Sequence, residues 1–119
     1  MASLKPAEAL KLLSEIALAI VRDRGPKDHP DFTFRQLSIL LTVYLETPPH
    51  TVRALAARHG VTKPVVTRAL DALGALDLLS RRRDERDRRN VIVQRTVKGA
   101  LFVEQLADLV IEKHEELGP

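Results

Sequence analysis

Thr51 and Thr62 each stand directly before a short helix-forming run, and Gly60 lies between the two runs. This arrangement leaves the chain little freedom. A threonine hydroxyl can accept from the free amides of a first helical turn. A glycine can take the positive φ that turns the chain after a helix has ended. Val52 to Arg58 is therefore read as one helix and Lys63 to about Leu76 as the next, with Pro64 tolerated in its first turn. The few residues between them match the length of a tight helix–helix corner.

Ala56, Gly60, Val61, Val66 and Ala69 complete the pattern: a small residue where two helices cross, glycine in the turn, and apolar residues that lock the second helix down. That is the spacing of a helix-turn-helix. Val66, Ala69, Leu70 and Leu73 share the face of the second helix that must be buried. Lys63, Pro64, Thr67, Arg68 and Asp71 share the opposite one. The N-terminal half of that exposed face is cationic or hydrogen-bonding, as suits a helix entering the major groove of double-stranded DNA. Candidate contacts there are Thr62, Lys63, Pro64, Val65, Thr67 and Arg68. Arg68 can pair with a guanine edge or a phosphate, Thr67 can bond a phosphate, and Val65 at the margin can touch a thymine methyl. A merely solubilised helix shows the same local pattern, so this helix alone leaves both readings open.

The next segment favours the duplex. Leu79 to Arg83 and Asn90 to Arg95 flank a charged tip, Asp84 to Arg89, and Val91 and Val93 alternate with Ile92 and Gln94 as in a strand. A hairpin directly after a helix-turn-helix is a wing. Arg81, Arg82, Arg83, Arg86, Arg88 and Arg89 crowd into it, interrupted by Asp84, Glu85 and Asp87. So much positive charge repels itself unless something anionic covers it, and a narrow minor groove is a suitable partner. The candidate wing contacts are Arg82, Arg83, Arg86, Asp87, Arg88 and Arg89. Asp87 has a different task from the rest: a carboxylate two positions from Arg89 can hold that guanidinium in a fixed pose.

The flanking segments read as helices. Leu4 to Arg24 opens after Ser3, with Pro6 in its first turn, and places Leu10, Leu13, Ile16, Ala17 and Ile20 on one face. Gly25-Pro26 ends it, and a polar loop runs to Pro30. Thr33 and Gln36 form a capping box for a second helix, whose buried stripe is expected at Leu37, Leu40, Leu41, Tyr44 and Leu45 before Thr47-Pro48-Pro49 stops it. Thr96 caps a final helix to about Glu116. Its apolar residues, Leu101, Phe102, Val103, Leu106, Ala107, Leu109, Val110 and Ile111, cover more than half its circumference. Such a surface calls for a partner helix. Leu10, Leu13, Ile16, Ile20, Phe102, Val103, Leu106 and Val110 are therefore the candidate dimerisation residues. A two-fold dimer would set two recognition helices about one turn of DNA apart. Packing of the first and last helices within one chain is the other reading.

The chain of 119 residues is expected to be one domain over 1–119, mainly α with a small β-hairpin wing. This is a winged helix-turn-helix over 33–96, flanked by N- and C-terminal dimerisation helices at 4–24 and 97–116. With three phenylalanines, one tyrosine and no tryptophan, its interior must be aliphatic, which favours packed helices. It has no cysteine, so disulfides, zinc–thiolate sites and thiol sensing are excluded and a reducing cytoplasm is the natural location. No run approaches the ~20 apolar residues that span a bilayer. His29, His50, His59 and His114 are scattered without ligand spacing, so no metal is expected. No nucleophile motif or phosphate loop is present; neither an enzyme nor a cofactor is expected. Net charge is +3, yet residues 51–96 carry eleven basic against five acidic residues, while the remainder carries eight against eleven. A basic centre between acidic ends points to one surface that faces a polyanion.

From Thr33 to Gly99 the chain resembles the MarR family of winged-helix regulators. The likeness lies in Thr51-Val-Arg-Ala-Leu-Ala-Ala-Arg-His-Gly-Val-Thr-Lys-Pro-Val-Val-Thr-Arg, in Arg81 to Asn90 with Asp87-Arg88-Arg89, and in Thr96-Val-Lys-Gly99. It implies a homodimer with recognition helices in successive major grooves and wings in minor grooves, Arg89 entering the groove and Asp87 orienting it. It also implies repression, often of nearby genes, and release by small phenolic or lipophilic ligands. The chain departs from the pattern at Asp77, where the family has a helix-closing glycine, and in having one long C-terminal helix where two are usual. Those departures bear on the corner after the recognition helix, the dimer geometry and the size of the ligand cleft. Lack of cysteine removes the family's peroxide-sensing mode. The expected function is a sequence-specific, homodimeric repressor that a small-molecule effector relieves. The alternative is a winged helix used as a protein-interaction module, an accessory or antirepressor subunit, which has no need of six wing arginines.

Overall fold

The computed structural model describes residues 3–24 and 31–118. The expected helix stop at Gly25-Pro26, the loop to Pro30 and His29 lie outside them. Two compact units are formed, Phe32–Val103 and a second from Met1–Asp31 with Glu104–Pro119.

The first unit holds α2 (Phe34–Leu45), β1 (His50–Thr51), α3 (Val52–His59), α4 (Lys63–Ala75), β2 (Leu79–Arg83) and β3 (Val91–Arg95), and it takes in the start of α5 (Val97–Glu116). The caps read from sequence at Thr33, Thr51 and Thr96 are present. Thr33 Oγ1 accepts from the Gln36 amide at 3.0 Å while Gln36 Oε1 accepts from the Thr33 amide at 3.1 Å. Thr51 and Thr96 accept from Ala54 and Gly99 at 3.0 and 2.8 Å. Thr62 differs. It occupies the N-cap of α4 in extended conformation, but its hydroxyl makes no capping bond.

The core of this unit joins Ile39, Leu40 and Val43 of α2 to Val52, Leu55 and Ala56 of α3 and to Val66, Ala69, Leu70 and Leu73 of α4. Leu78, Leu79 and Val93 close it from the sheet side. The α2 stripe is therefore rotated from the expected one. Leu40 is inside, Leu37, Leu41 and Tyr44 are half-buried, and Leu45 is 74% exposed. The helix is apolar around most of its circumference, so periodicity alone offers two stripes; the one that meets α3 and α4 is buried.

The sheet runs β1–β3–β2, antiparallel throughout, with Arg82 opposite Ile92 and Arg81 opposite Val93. β1 escaped the sequence reading because two residues carry no alternation. It exists by pairing His50 with Val93 and Thr51 with Ile92.

Two helix ends in this unit share one geometry. After α3, Gly60 takes φ +64°, and the Gly60 and Val61 amides donate to Ala57 O (3.3 Å) and Ala56 O (3.0 Å). After α4, Asp77 takes φ +58°, and the Asp77 and Leu78 amides donate to Gly74 O (2.9 Å) and Leu73 O (3.0 Å). The corner at Asp77 is thus built as a glycine corner would be. The short polar side chain of aspartate is one of the few that tolerate the left-handed region.

That corner is tied to the rest by a compact hydrogen-bond group. Tyr44 Oη donates to Leu78 O (2.8 Å) and accepts from the Thr96 amide (3.1 Å), while Thr96 Oγ1 donates to Asp77 O (2.7 Å). A Cβ on Gly99 would fall on the Tyr44 hydroxyl and the Leu78 carbonyl oxygen, so no larger residue fits. Arg95 donates to Val43 O (2.8 Å) and Glu46 O (3.1 Å), satisfying free carbonyls at the end of α2, and its guanidinium lies over the Tyr44 ring.

In the second unit, α1 spans Pro6–Ala19, and Ile20–Arg24 continues as a π-helical turn. The start expected at Leu4 after Ser3 is two residues later, with Lys5 as N-cap and its amide donating to Glu8 Oε1 at 3.1 Å. Proline keeps the preceding residue out of the helical region, so the helix cannot begin before Pro6. Ala19, Leu106 and Leu109 are buried, whereas Leu10 and Leu13 are 68% and 58% exposed and Leu18, Val21, Val110 and Ile111 are also open. Among the described residues, no helix is long and apolar enough to cross a membrane.

Candidate nucleic-acid interface

Burial of Val66, Ala69, Leu70 and Leu73 fixes the rotation of α4. Lys63, Pro64, Arg68 and Asp71 are left exposed, with Val65 and Thr67 at the half-buried margins. Thr62, just before the helix, is exposed, and its hydroxyl makes no capping bond among the described residues. The six residues singled out on and beside this helix therefore line one open edge of the unit.

The wing joins that edge. Arg81 Nη2 lies 2.7 Å from Asp71 Oδ1, so the exposed face of α4 is tied directly to the root of the hairpin. Further out, backbone and side-chain bonds shape the tip. The Asp84 amide donates to Asn90 O (3.0 Å), the Asn90 amide to Asp87 O (2.9 Å), and the Arg86 amide to Asp84 Oδ1 (2.9 Å). Arg83 Nη1 reaches across to Arg88 O at 3.0 Å.

Asp87 and Arg89 meet as the spacing suggested. Asp87 Oδ1 accepts from the Arg89 amide (3.2 Å) and Nε (3.1 Å), and Oδ2 accepts from Nη2 (3.4 Å). The Arg89 side chain nonetheless remains 85% exposed. The Arg89 guanidinium holds the Asp87 carboxyl below the ordinary aspartate value of 3.8, with help from the Arg89 amide and the charge of Arg53. Arg82, Arg86 and Arg88 have no side-chain partner among the described residues and face solvent.

Arg53 was not singled out from sequence. It sits exposed on α3, one residue past the start of the helix, and only the fold brings its charge near Asp87. Tyr44, Arg95 and Gly99 also escaped notice as structural ties, because each acts through partners distant in sequence. The candidate dimerisation residues fall into three groups. Phe102 and Val103 pack on the core of the winged unit, Phe102 with its ring centroid 5.6 Å from that of Phe32. Leu106 is buried, and Ile16 and Ile20 are half-buried. Leu10, Leu13 and Val110 are exposed.

Two histidines, His50 and His59, are used structurally. His50 Nε2 bonds Glu46 O at 3.1 Å, and His59 bridges Leu55 O (2.9 Å) and Ser38 Oγ (3.0 Å). Among the described residues, no group of histidine and carboxylate side chains could hold a metal ion.

A helix-turn-helix whose second helix is salt-bridged to an arginine-rich hairpin defines a winged-helix protein. A family model described as the MarR family matches residues 32–91. No curated protein sequence matches the chain. Among solved structures, a MepR variant from S. aureus bound to an oligodeoxyribonucleotide has 21% identity and a TM-score of 0.77, covering 92% of this chain and 75% of that one. The transcriptional regulator Tm0710 from Thermotoga maritima has 30% identity and a TM-score of 0.65, covering 92% of this chain and 68% of that one. A MarR variant from E. coli complexed with operator DNA has 25% identity and a TM-score of 0.65, covering 93% and 71%. The chain belongs to the MarR family of winged-helix transcriptional regulators. Such proteins regulate transcription and are not enzymes.

Proposed function

We propose that the protein is a cytoplasmic, homodimeric repressor that binds double-stranded DNA through α4 and the wing and is released by a small-molecule effector. The observation that carries the DNA reading is the Asp71–Arg81 pair. It joins the open edge of α4, where Lys63 and Arg68 are exposed, to a hairpin whose Arg82, Arg86 and Arg88 have no side-chain partner among the described residues and whose Arg89 stays 85% exposed. In this reading α4 enters the major groove, Arg68 reads a base edge, and Arg89, pre-set by Asp87, enters the minor groove. Structures similar to this chain were solved with an oligodeoxyribonucleotide and with operator DNA, which supports the same role here.

The open apolar residues of α1 and α5 support the dimer. An open apolar surface along α2, formed by Phe34, Leu37, Leu41 and Leu45 with Ser38, Thr42 and Glu46 beside them, supports an effector. An apolar wall with a few hydroxyls suits a small lipophilic molecule.

A salt titration tests the DNA reading. Contacts to 6–10 phosphates predict a loss of about 10³–10⁵ in affinity between 50 and 200 mM salt. Flat dependence would instead favour a protein partner. Arg68→Ala should erode discrimination between operator and random duplex by about 1–3 kcal/mol, and Arg89→Ala should weaken both alike. Sedimentation of Leu10→Ser/Leu13→Ser against the parent tests the dimer; an unchanged mass would remove α1 from the interface.

A further inference from the structure

Six arginines in one hairpin look like six contacts, yet the structure does not treat them alike. Arg82, Arg86 and Arg88 have no side-chain partner among the described residues, and Arg89 is held but 85% exposed. Arg81 and Arg83 are engaged elsewhere. Arg81 is committed to Asp71 on α4. Arg83, the last residue of β2, crosses the hairpin to the carbonyl of Arg88, the residue before Arg89.

From these bonds we infer that Arg81 and Arg83 are positioning residues that build the wing, and that only Arg82, Arg86, Arg88 and Arg89 are offered to a polyanion. This rests on the duplex reading for its binding consequences, but not for its structural ones.

The physical case begins with the tip. Residues 84–90 make a tight reversal, and its inward carbonyls need donors. Asn90 O and Asp87 O receive the Asp84 and Asn90 amides, and Asp84 Oδ1 takes the Arg86 amide. Arg88 O receives the Arg83 guanidinium. A planar guanidinium can donate to a carbonyl across the strands and leave its charge near the tip. Fixing Arg88 O fixes the peptide plane that leads into Arg89, so Arg89 projects from a set backbone as well as from a set carboxylate. Less ordering entropy is then lost when it enters a groove.

Arg81 does the equivalent at the other end. Asp71 lies on the exposed edge of α4 beside Arg68, where an unpaired carboxylate would repel phosphates. Arg81 neutralises it at 2.7 Å and sets the wing root against the helix. The two bonds together fix the angle between helix and hairpin, and the direction of the tip.

Charge-matched variants test this. Arg83→Ala and Arg86→Ala remove the same charge a few residues apart, so any difference between them reports local role. In the free protein, amide hydrogen exchange of Asp84 and Asn90 should accelerate several-fold in Arg83→Ala and stay at the parent rate in Arg86→Ala. On duplex DNA, both should weaken binding several-fold. The slope of log affinity against log salt should fall by about 0.9 for Arg86→Ala, as for one lost phosphate contact, and by less than about half of that for Arg83→Ala. Arg81→Ala should keep its slope in the same way, and Asp71→Ala/Arg81→Ala should bind DNA more tightly than Arg81→Ala alone, because the stranded carboxylate is gone. Parent-like exchange in Arg83→Ala, or a full slope loss in either positioning variant, overturns the assignment. Binding that ignores salt in every variant would sink the duplex reading, while the exchange data would still decide the role of Arg83.

Discussion

The two units of the chain differ in how much of their apolar surface they bury. In the winged unit, Leu40, Leu55, Leu70 and Leu73 are fully buried and belong to one continuous cluster. In the terminal unit, Leu10, Leu13 and Leu18 stand open on α1, as do Val110 and Ile111 on α5. A buried leucine side chain contributes ~1.5–3 kcal/mol relative to an exposed one, so the first unit is stabilised mainly by its own interior, while the second buries Leu106 and Leu109 but leaves Leu10, Leu13 and Leu18 without that gain. Short elements with caps at Thr33, Thr51 and Thr96 can close a core locally. Longer helices with apolar residues around their circumference cannot do so without another surface. The winged unit therefore holds most of its stabilising burial within itself, and the terminal unit leaves more apolar surface open.

The largest effect should come from the winged unit. Leu73→Ala is expected to lower unfolding stability by about 2–5 kcal/mol in a urea melt, whereas Leu13→Ala at low protein concentration should stay within about 0.5 kcal/mol. Equal losses would erase the contrast between the units. Gly99→Ala comes next, at about 1–3 kcal/mol, because its Cβ must displace the Tyr44 hydroxyl or the Leu78 carbonyl. Tyr44→Phe removes the shared hydroxyl without a collision and should cost about 1–2 kcal/mol. If it cost nothing, the hydrogen-bond group around Thr96 would be decoration.

A gain sharpens the same point. Asp77→Gly relieves a left-handed residue and should raise the melting temperature, by up to roughly 1 kcal/mol in stability after the greater freedom of the unfolded glycine is counted. A loss would mean that the Asp77 side chain has a role of its own. The smallest effect concerns pH. The Asp87 carboxyl titrates below its ordinary value in the folded state, so its pairing with Arg89 is fully present above 3.8 and is lost as pH falls through the lowered value. Wing exchange and DNA affinity should therefore show no Asp87-dependent step between pH 5 and 8, checked against Asp87→Asn across the same range. A step in that window would place the carboxyl in a different environment.

Much of the winged unit was legible because its signals are local. The Thr33 cap joins residues three apart, Thr33 and Gln36; the stop after α3 rests on one glycine, Gly60; and the carboxylate that holds Arg89, Asp87, is two positions away. The same locality explains the errors. Ser3 resembles a cap, but Pro6 moved the start of α1. Thr62 resembles a cap too, and it occupies the right position, yet its hydroxyl makes no capping bond.

Residue order by itself determined where helices and the hairpin lie, which face of α4 is polar, and that the wing would be cationic, since propensity, periodicity and charge are properties of neighbours along the chain. Only the tertiary structure decided which stripe of α2 went inside, that two residues at His50–Thr51 would become a strand, and that Arg81 would be taken up by Asp71 and Arg83 by Arg88 O. A helix with two apolar stripes, or a hairpin with six equivalent cations, has several local solutions of similar free energy. Packing against a particular neighbour selects among them, and that neighbour is distant in sequence or across a turn.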